Sequence, residues 1–499
     1  MTTAKNREVN KAINTGMFWL LTLKLFLKMV AIISTLILVR LLAPADFGLV
    51  ALAMSFYAVI ELMSAFGFEA TIIQTKNASD EHYSTVWSLR LLVSLLLCLI
   101  VNLSSSQIAL FYDDARLDSL IESISYLFII KALSNPGLIK ITKELDFKSE
   151  FKIQSITKMS SFVITMYAAY TLRNYNALII GMYAGTIISV GLSYWISRFR
   201  PTFTLIHVKE LFGFSQWMMI NAWINFLNVK TNEIVMGYFG TPKLVGLLSV
   251  AQEIANMPSA EFGAAINRAS YPGYAKTERN IPLLSAMFLT VLSKTSLVAI
   301  PTGLGIYLLS FEISHVLLGP GWESTQRVIE LVALSSIFTA LSTNQQYIYM
   351  ALGKPKLTTF LGTFRFVLFF SMLIPLVTQR SLVGAAEAIL CTSIIYLPVA
   401  LFVTKRLLSF TFMDYFKVIK YHAISSLFMA CALWFINANG QYVLANPVLL
   451  MLLKVFIGMG IFVATLYACW YFSGKPKNCA EGEITYYLQD KYIKFRKTH

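Results

Sequence analysis

Residues Gly16–Leu42 read GMFWLLTLKLFLKMVAIISTLILVRLL. As a helix this run exceeds the ~30 Å hydrocarbon core of a bilayer, and only Lys24, Lys28 and Arg40 interrupt it. A secretory signal has a shorter apolar core followed by a small-residue cleavage site. Neither is present, so the run reads as a first membrane span and not a leader. Similar runs recur at 47–73, 84–104, 119–139, 153–172, 177–196, 211–238, 244–267, 282–310, 327–352, 357–378, 383–404, 420–437 and 447–472. Barrel strands are only ~10 residues long and alternate in polarity, so these longer continuous runs are helices. Hydrophobic residues make up 57% of the 499 and charged residues 13%, where a soluble domain carries roughly 25% charged. The expectation is an all-α integral membrane protein with about 14 transmembrane helices.

Other classes fall to the same reading. Net charge is +15, but the basic residues lie scattered between apolar runs and form no dense patch for nucleic acid. The five cysteines stand far apart without C-x-x-C spacing, and the five histidines fall in loops, at span ends or at the terminus. No metal site and no cofactor is expected. The connections are too short to house a soluble domain.

Basic residues decide the orientation. With the N-terminus inside, 26 of them fall in cytoplasmic segments, and only Arg116, Arg173, Lys243 and Arg380 fall in the opposite loops. A miscounted span would scramble this asymmetry, so both termini are assigned to the cytoplasm. In the basic tail, 473–499, Ile484, Tyr487, Leu488 and Phe495 are spaced as in an amphipathic helix on the inner leaflet, though a disordered tail fits equally well.

Two outer turns repeat about 198 residues apart. Pro44-Ala-Asp-Phe-Gly48-Leu-Val-Ala-Leu-Ala53 returns as Pro242-Lys-Leu-Val-Gly246-Leu-Leu-Ser-Val-Ala251, and Ala65-Phe-Gly67 is echoed by Glu261-Phe-Gly263. Proline fixes φ at each turn, and glycine lets the next helix start close against its neighbour. The first and seventh spans are then equivalent and the unit is six helices. The expected layout is two pseudo-symmetric six-helix halves, 1–200 and 201–404, with a cavity between them. Two further helices (405–472) and the tail follow.

Eleven basic residues remain within or at the ends of spans: Lys24, Lys28, Arg40, Arg90, Lys131, Lys158, Lys230, Lys294, Arg327, Arg365 and Lys454. A central charge costs at least ~2.5–3.5 kcal/mol on insertion scales, so such groups face protein or water. Snorkelling to the interface accounts for Arg40, Lys158, Arg327 and Lys454 near span ends. Lys24 and Lys28 put two cations on one face of the first span. Arg90 and Lys294 sit at comparable levels of the third and ninth spans, and Arg365 lies about a third of the way in. Cations converging on one cavity suit an anionic ligand such as pyrophosphate. The rival reading pairs them with Glu61, Glu69, Glu233, Glu253, Glu261, Glu330 and Glu387, with Lys230–Glu233 as a local pair. Glu61 and Glu253 are also candidates for ion coupling. Trp217, Trp322 and Trp470 near span ends read as an interfacial belt.

The string from Arg40 through Pro44, Asp46 and Gly48 to Ala53, then Gly67-Phe-Glu-Ala-Thr-Ile-Ile-Gln74, resembles the N-terminal signature of bacterial polysaccharide-biosynthesis membrane proteins. These are the Wzx-type flippases of the multidrug/oligosaccharidyl-lipid/polysaccharide (MOP) exporter superfamily. Arg268-Ala-Ser-Tyr-Pro272-Gly-Tyr-Ala-Lys276, after the eighth span, resembles their middle region. The resemblance implies a multi-pass protein of the bacterial cytoplasmic (inner) membrane. It would move an undecaprenyl-pyrophosphate-linked oligosaccharide from inner to outer leaflet, by alternating access, and hand it to a polysaccharide polymerase and chain-length machinery. Lys24 and Lys28 match, by level and not by motif, the cavity cations of related lipid flippases. A drug/cation antiporter of the same superfamily is the alternative; it favours an acidic cavity, and the intramembrane excess here is basic. A membrane glycosyltransferase or polymerase needs a sizeable outer loop, and Asp113, Asp114 and Asp118 sit in one of about 14 residues.

Overall fold

The computed structural model describes residues 22–23, 26–64, 79–143, 147–208, 216–439 and 446–473. Lys24, Glu69, the Gly67–Gln74 motif, the Ala65–Gly67 echo and the tail helix lie outside them. So do the side chains of Trp217, Glu261, Arg268 and Pro272. No strand occurs among the described residues. A long helical segment lies over every apolar run: α1 (26–41), α2 (Pro44–Ser64), α3 (Asp80–Phe111), α4 (Arg116–Ala132), α5 (Phe147–Leu172), α6 (Asn176–Ile196), α7 (Gln216–Phe239), α8 (Pro242–Thr277), α9 (Ile281–Leu308), α10 (Thr325–Ala351), α11 (Pro355–Leu407), α12 (Phe412–Asn439) and α13 (Pro447–Phe472). α11 comprises two helices that meet at Ser381, where φ is 48°. Among the described residues, six helices are long and apolar enough to cross a membrane: α3, α6, α9, α11, α12 up to Ala438, and α13.

Local chemistry sets the helix starts. Asn280 accepts from the Leu283 amide at 3.1 Å to open α9, and Asn446 accepts from Val448 and Leu449 to open α13. Pro follows each cap, where its missing N–H costs nothing. α8 is longer than the sequence suggests. It runs to Thr277, so the Arg268–Lys276 motif is helical, and Tyr274 within it is fully buried and donates to Asn344 at 2.9 Å.

The chain divides into two compact units, Met1–Gly246 and Leu247–His499. In the first, α2 packs on α4 and α7, α3 on α4, and α5 on α6. The α5–α6 contact is a close approach of small residues: a Cβ at Gly181 would lie 1.8 Å from Thr165 Oγ1, and Ser161 donates to the Gly181 carbonyl at 2.8 Å. Small residues are how helices gain contact where lipid offers no hydrophobic drive. The two repeated turns meet in this unit. A Cβ on Gly48 would fall 1.5 Å from the Pro242 carbonyl oxygen, and one on Gly246 would fall 1.9 Å from that of Pro44. Each glycine of the repeat accommodates the proline turn of the other copy.

In the second unit α9 packs on α10 and α12, α10 on α11, and α12 on α13. Its core gathers Tyr274, Phe288, Leu292, Ile348 and Leu401. α12 is tied to it by polar contacts. His422 Nδ1 and Ser296 Oγ are 2.9 Å apart, and Asn437 donates to the Leu308 carbonyl at 3.1 Å.

Candidate functional site

In the first unit, α2 carries Ser55, Tyr57 and Glu61 over two turns. Ser55 faces α7 and donates at 2.7 Å to Glu233, which also takes Lys230 at 2.8 Å. The local Lys230–Glu233 pair is therefore present, and Glu233 is buried where the two helices meet. Glu61 faces α4 and pairs with Lys131. Tyr57 lies one turn earlier, its ring stacked on buried Phe128 at 4.2 Å and its hydroxyl beside the same ammonium. Lys131 and Glu61 remain 56% and 45% exposed, so this pair is an accessible feature of the unit's surface.

Lys28 on α1 and Arg90 on α3 belong to the same unit, each half-buried. Lys294 on α9, Arg365 on α11 and Glu253 on α8 belong to the second unit; Lys294 and Arg365 are half-buried, and Glu253 is exposed. The Arg365 guanidinium lies over the ring of Tyr396, 5.5 Å from its centroid. Stacking on an aromatic face suits a guanidinium better than an ammonium.

Several expected roles change. Lys454 does not snorkel: it is buried at 5% exposure and paired with Glu312, itself 7% exposed. Its position near the start of α13 gave a span-end reading, but α13 packs that face against the unit, where Glu312 precedes a π-helical turn, Ile313–Leu318. Arg327 stays 57% exposed and pairs with Glu330 at 2.6 Å, and Glu330 takes Ser310 and Gln326 as well. Glu387 pairs with Arg380 at 2.7 Å across the Ser381 kink. Trp322 and Trp470 are buried and are not an interfacial belt. Trp322 is folded in by a turn whose glycines, Gly319 and Gly321, have φ of 91° and 88°.

The acids of the α3–α4 turn are occupied structurally. Asp113 takes φ 51° in the α3–α4 turn, Asp118 accepts from Ser106, and Asp114 is held by Arg116 through Nε at 2.9 Å and Nη2 at 2.7 Å. The Arg116 guanidinium holds the Asp114 carboxyl below the usual carboxylate range.

Sequence reasoning missed two arrangements. One is Tyr57–Lys131–Glu61, whose signal was Lys131 and Glu61 standing as opposite charges at membrane level on different spans. The other is at the start of α3, where His82 and His207 stack at 3.7 Å and His207 Nε2 lies 3.5 Å from Glu81. There the backbone amides of Thr202 and Thr204 donate to Ser84 and Ser88, binding the segment after α6 along α3. Only the folded chain brings together residues more than a hundred positions apart.

The helical framework shares its fold with solved membrane transporters. It resembles the lipid II flippase MurJ in its inward closed conformation, with a TM-score of 0.74 at 14% identity, over 90% of this chain and 99% of that one. It also resembles an inward-facing multidrug resistance MATE family transporter of the MOP superfamily, with a TM-score of 0.57 at 16% identity, over 76% and 94%. Within that fold the chain belongs to the polysaccharide biosynthesis protein family, whose profile matches residues 37–327. It is 22% identical to the lipopolysaccharide biosynthesis protein WzxC of Escherichia coli (strain K12), over 68% of this chain and 70% of that protein. It is 23% identical to the teichuronic acid biosynthesis protein TuaB of Bacillus subtilis (strain 168), over 60% and 62%. Identity is 22% to the succinoglycan biosynthesis transport protein ExoT of Rhizobium meliloti (strain 1021), over 62% and 64%. The matches span a little under two thirds of TuaB and ExoT.

Proposed function

We propose that this protein flips undecaprenyl-pyrophosphate-linked oligosaccharide units from the inner to the outer leaflet of the bacterial cytoplasmic membrane, for synthesis of a surface polysaccharide. The observation that carries this reading is that a chain of the polysaccharide biosynthesis family has the fold of a flippase for a lipid-linked sugar. About 14 spans, two six-helix halves, a final helical pair and cytoplasmic termini complete the arrangement. Transport proceeds by alternating access around a cationic cavity. Lys24, Lys28, Arg90, Lys294 and Arg365 neutralise the phosphates, while the polyprenyl tail stays in the bilayer. Lysine acts there as a point charge and Arg365 as an oriented plane. Outward movement of a phosphate charge responds to membrane potential by ~2.3 kcal/mol per 100 mV. Glu61 and Glu253 are the candidates for ion coupling, and a polymerase with its chain-length machinery receives the product.

Deleting the gene tests this directly. Complete single repeat units should accumulate on the inner leaflet, with surface polymer lost. Truncated units would indicate a transferase, and an unchanged profile with new sensitivity to cationic drugs would indicate an antiporter. Lys28→Glu should abolish export at normal protein abundance. Normal export by that variant would remove Lys28 from the site.

A further inference from the structure

Glu61 and Lys131, which the apolar runs 47–73 and 119–139 assign to membrane level, hold opposite charges, yet each is about half exposed. Charges facing lipid there are expensive, so this surface is one that water or a polar ligand reaches. We propose that Lys131 is a further anion ligand held in reserve by Glu61. An entering pyrophosphate headgroup displaces the Glu61 carboxylate from the ammonium, and Glu61 recovers Lys131 when the headgroup leaves. This inference rests on the reading that the cargo carries a pyrophosphate.

The surroundings distinguish this pair from the others in the chain. An exposed ion pair holds its partners weakly, so a group with two or more negative charges outcompetes one carboxylate for the ammonium. Lys131 does not depend on Glu61 alone for its position. Phe128 is buried and stacks on Tyr57 at 4.2 Å and 16°, which fixes the Tyr57 hydroxyl beside the ammonium. Tyr57 is thus a positioning residue that keeps Lys131 in place while its anion changes. Glu233 cannot exchange in this way, being buried and held by Ser55 as well as Lys230. Lys454 and Glu312 are sealed from any ligand. Of these three lysine–glutamate pairs, Glu61–Lys131 alone is both accessible and braced by a neutral third group.

The test is binding of undecaprenyl pyrophosphate, with undecaprenol as the uncharged control, to the purified full chain in nanodiscs. Wild type should prefer the pyrophosphate. Glu61→Gln, which releases Lys131, should tighten binding by about threefold to tenfold. Lys131→Gln should weaken it by a similar factor, Lys131→Arg should retain it, and the Glu61→Gln/Lys131→Gln double variant should behave like Lys131→Gln. A merely structural pair gives a different pattern: both single variants weaken binding and the double variant restores it. That pattern, with wild type still preferring the pyrophosphate, overturns the exchange and leaves the flippase reading standing. Equal binding of pyrophosphate and undecaprenol by wild type overturns both. Melting midpoints of the same variants separate lost binding from lost fold.

Discussion

The two units each hold a lysine–glutamate pair that links distant parts of the chain, and the pairs are opposites in setting. Glu61–Lys131 in the first unit joins α2 to α4 and is half exposed. Glu312–Lys454 in the second joins the turn after α9 to α13 and is almost wholly enclosed. The same two functional groups therefore do different work. Where water or ligand reaches the ions, Coulomb attraction is small and the pair can exchange partners. Where both ions are sealed, removing one leaves an uncompensated buried charge, so it is the intact pair that holds the helices together.

The sharpest way to break this comparison is the same substitution in both units. Lys454→Met should destabilise the folded protein by about 3–5 kcal/mol, and Glu312→Gln added to it should recover much of that loss. Lys131→Met should shift stability by no more than about 1 kcal/mol. Melting midpoints of the purified variants read both, and equal losses would mean that burial does not separate the pairs.

A smaller effect is expected where the repeats meet. Gly48→Ala or Gly246→Ala places a methyl group inside van der Waals distance of a proline carbonyl, and backbone cannot swing aside as a side chain can. Each should cost about 1–3 kcal/mol by overpacking, read as reduced folded yield and a lower midpoint. Gly263→Ala is the control, since no atom lies within 4 Å of its added Cβ. The smallest effect concerns Asp114, whose carboxyl is held below its ordinary range by Arg116. Its contribution to stability is complete above the ordinary carboxylate range and is lost as pH falls through the lowered value. Arg116→Ala should flatten that part of the pH–stability profile, and an unchanged slope would remove the pair from it.

Much of the fold was legible because lipid imposes a one-dimensional rule. A helix that crosses hydrocarbon must be apolar for some twenty residues, so the runs at 84–104, 282–310 and 447–472 declare α3, α9 and α13 without knowledge of their neighbours. The P-x-x-x-G turns were legible for a similar reason, since a proline turn followed by glycine has local geometric meaning. That the two glycines would seat each other's turns was not visible, because sequence spacing carries no distance between helices.

The site was less legible, for a physical reason that Lys454 and Trp322 illustrate. Both lie near span ends, where snorkelling and belt positions are common, and hydropathy cannot tell a lipid-facing side of a helix from a protein-facing one. Lys230–Glu233 was readable because i, i+3 spacing sets its distance within one helix. Glu61–Lys131 was not, because its partners are seventy residues apart.

The sequence by itself determined that this chain is helical, membrane-embedded, rich in cations within its apolar runs and built with a repeated proline–glycine turn. Those properties follow from solvent, charge and local backbone geometry, which each segment carries alone. The tertiary structure alone decided which cations keep a carboxylate, which of those pairs stay open to a ligand, and which helix faces are sealed. Those outcomes depend on how helices distant in sequence pack, and burial sets both the strength of an ion pair and whether anything else can reach it.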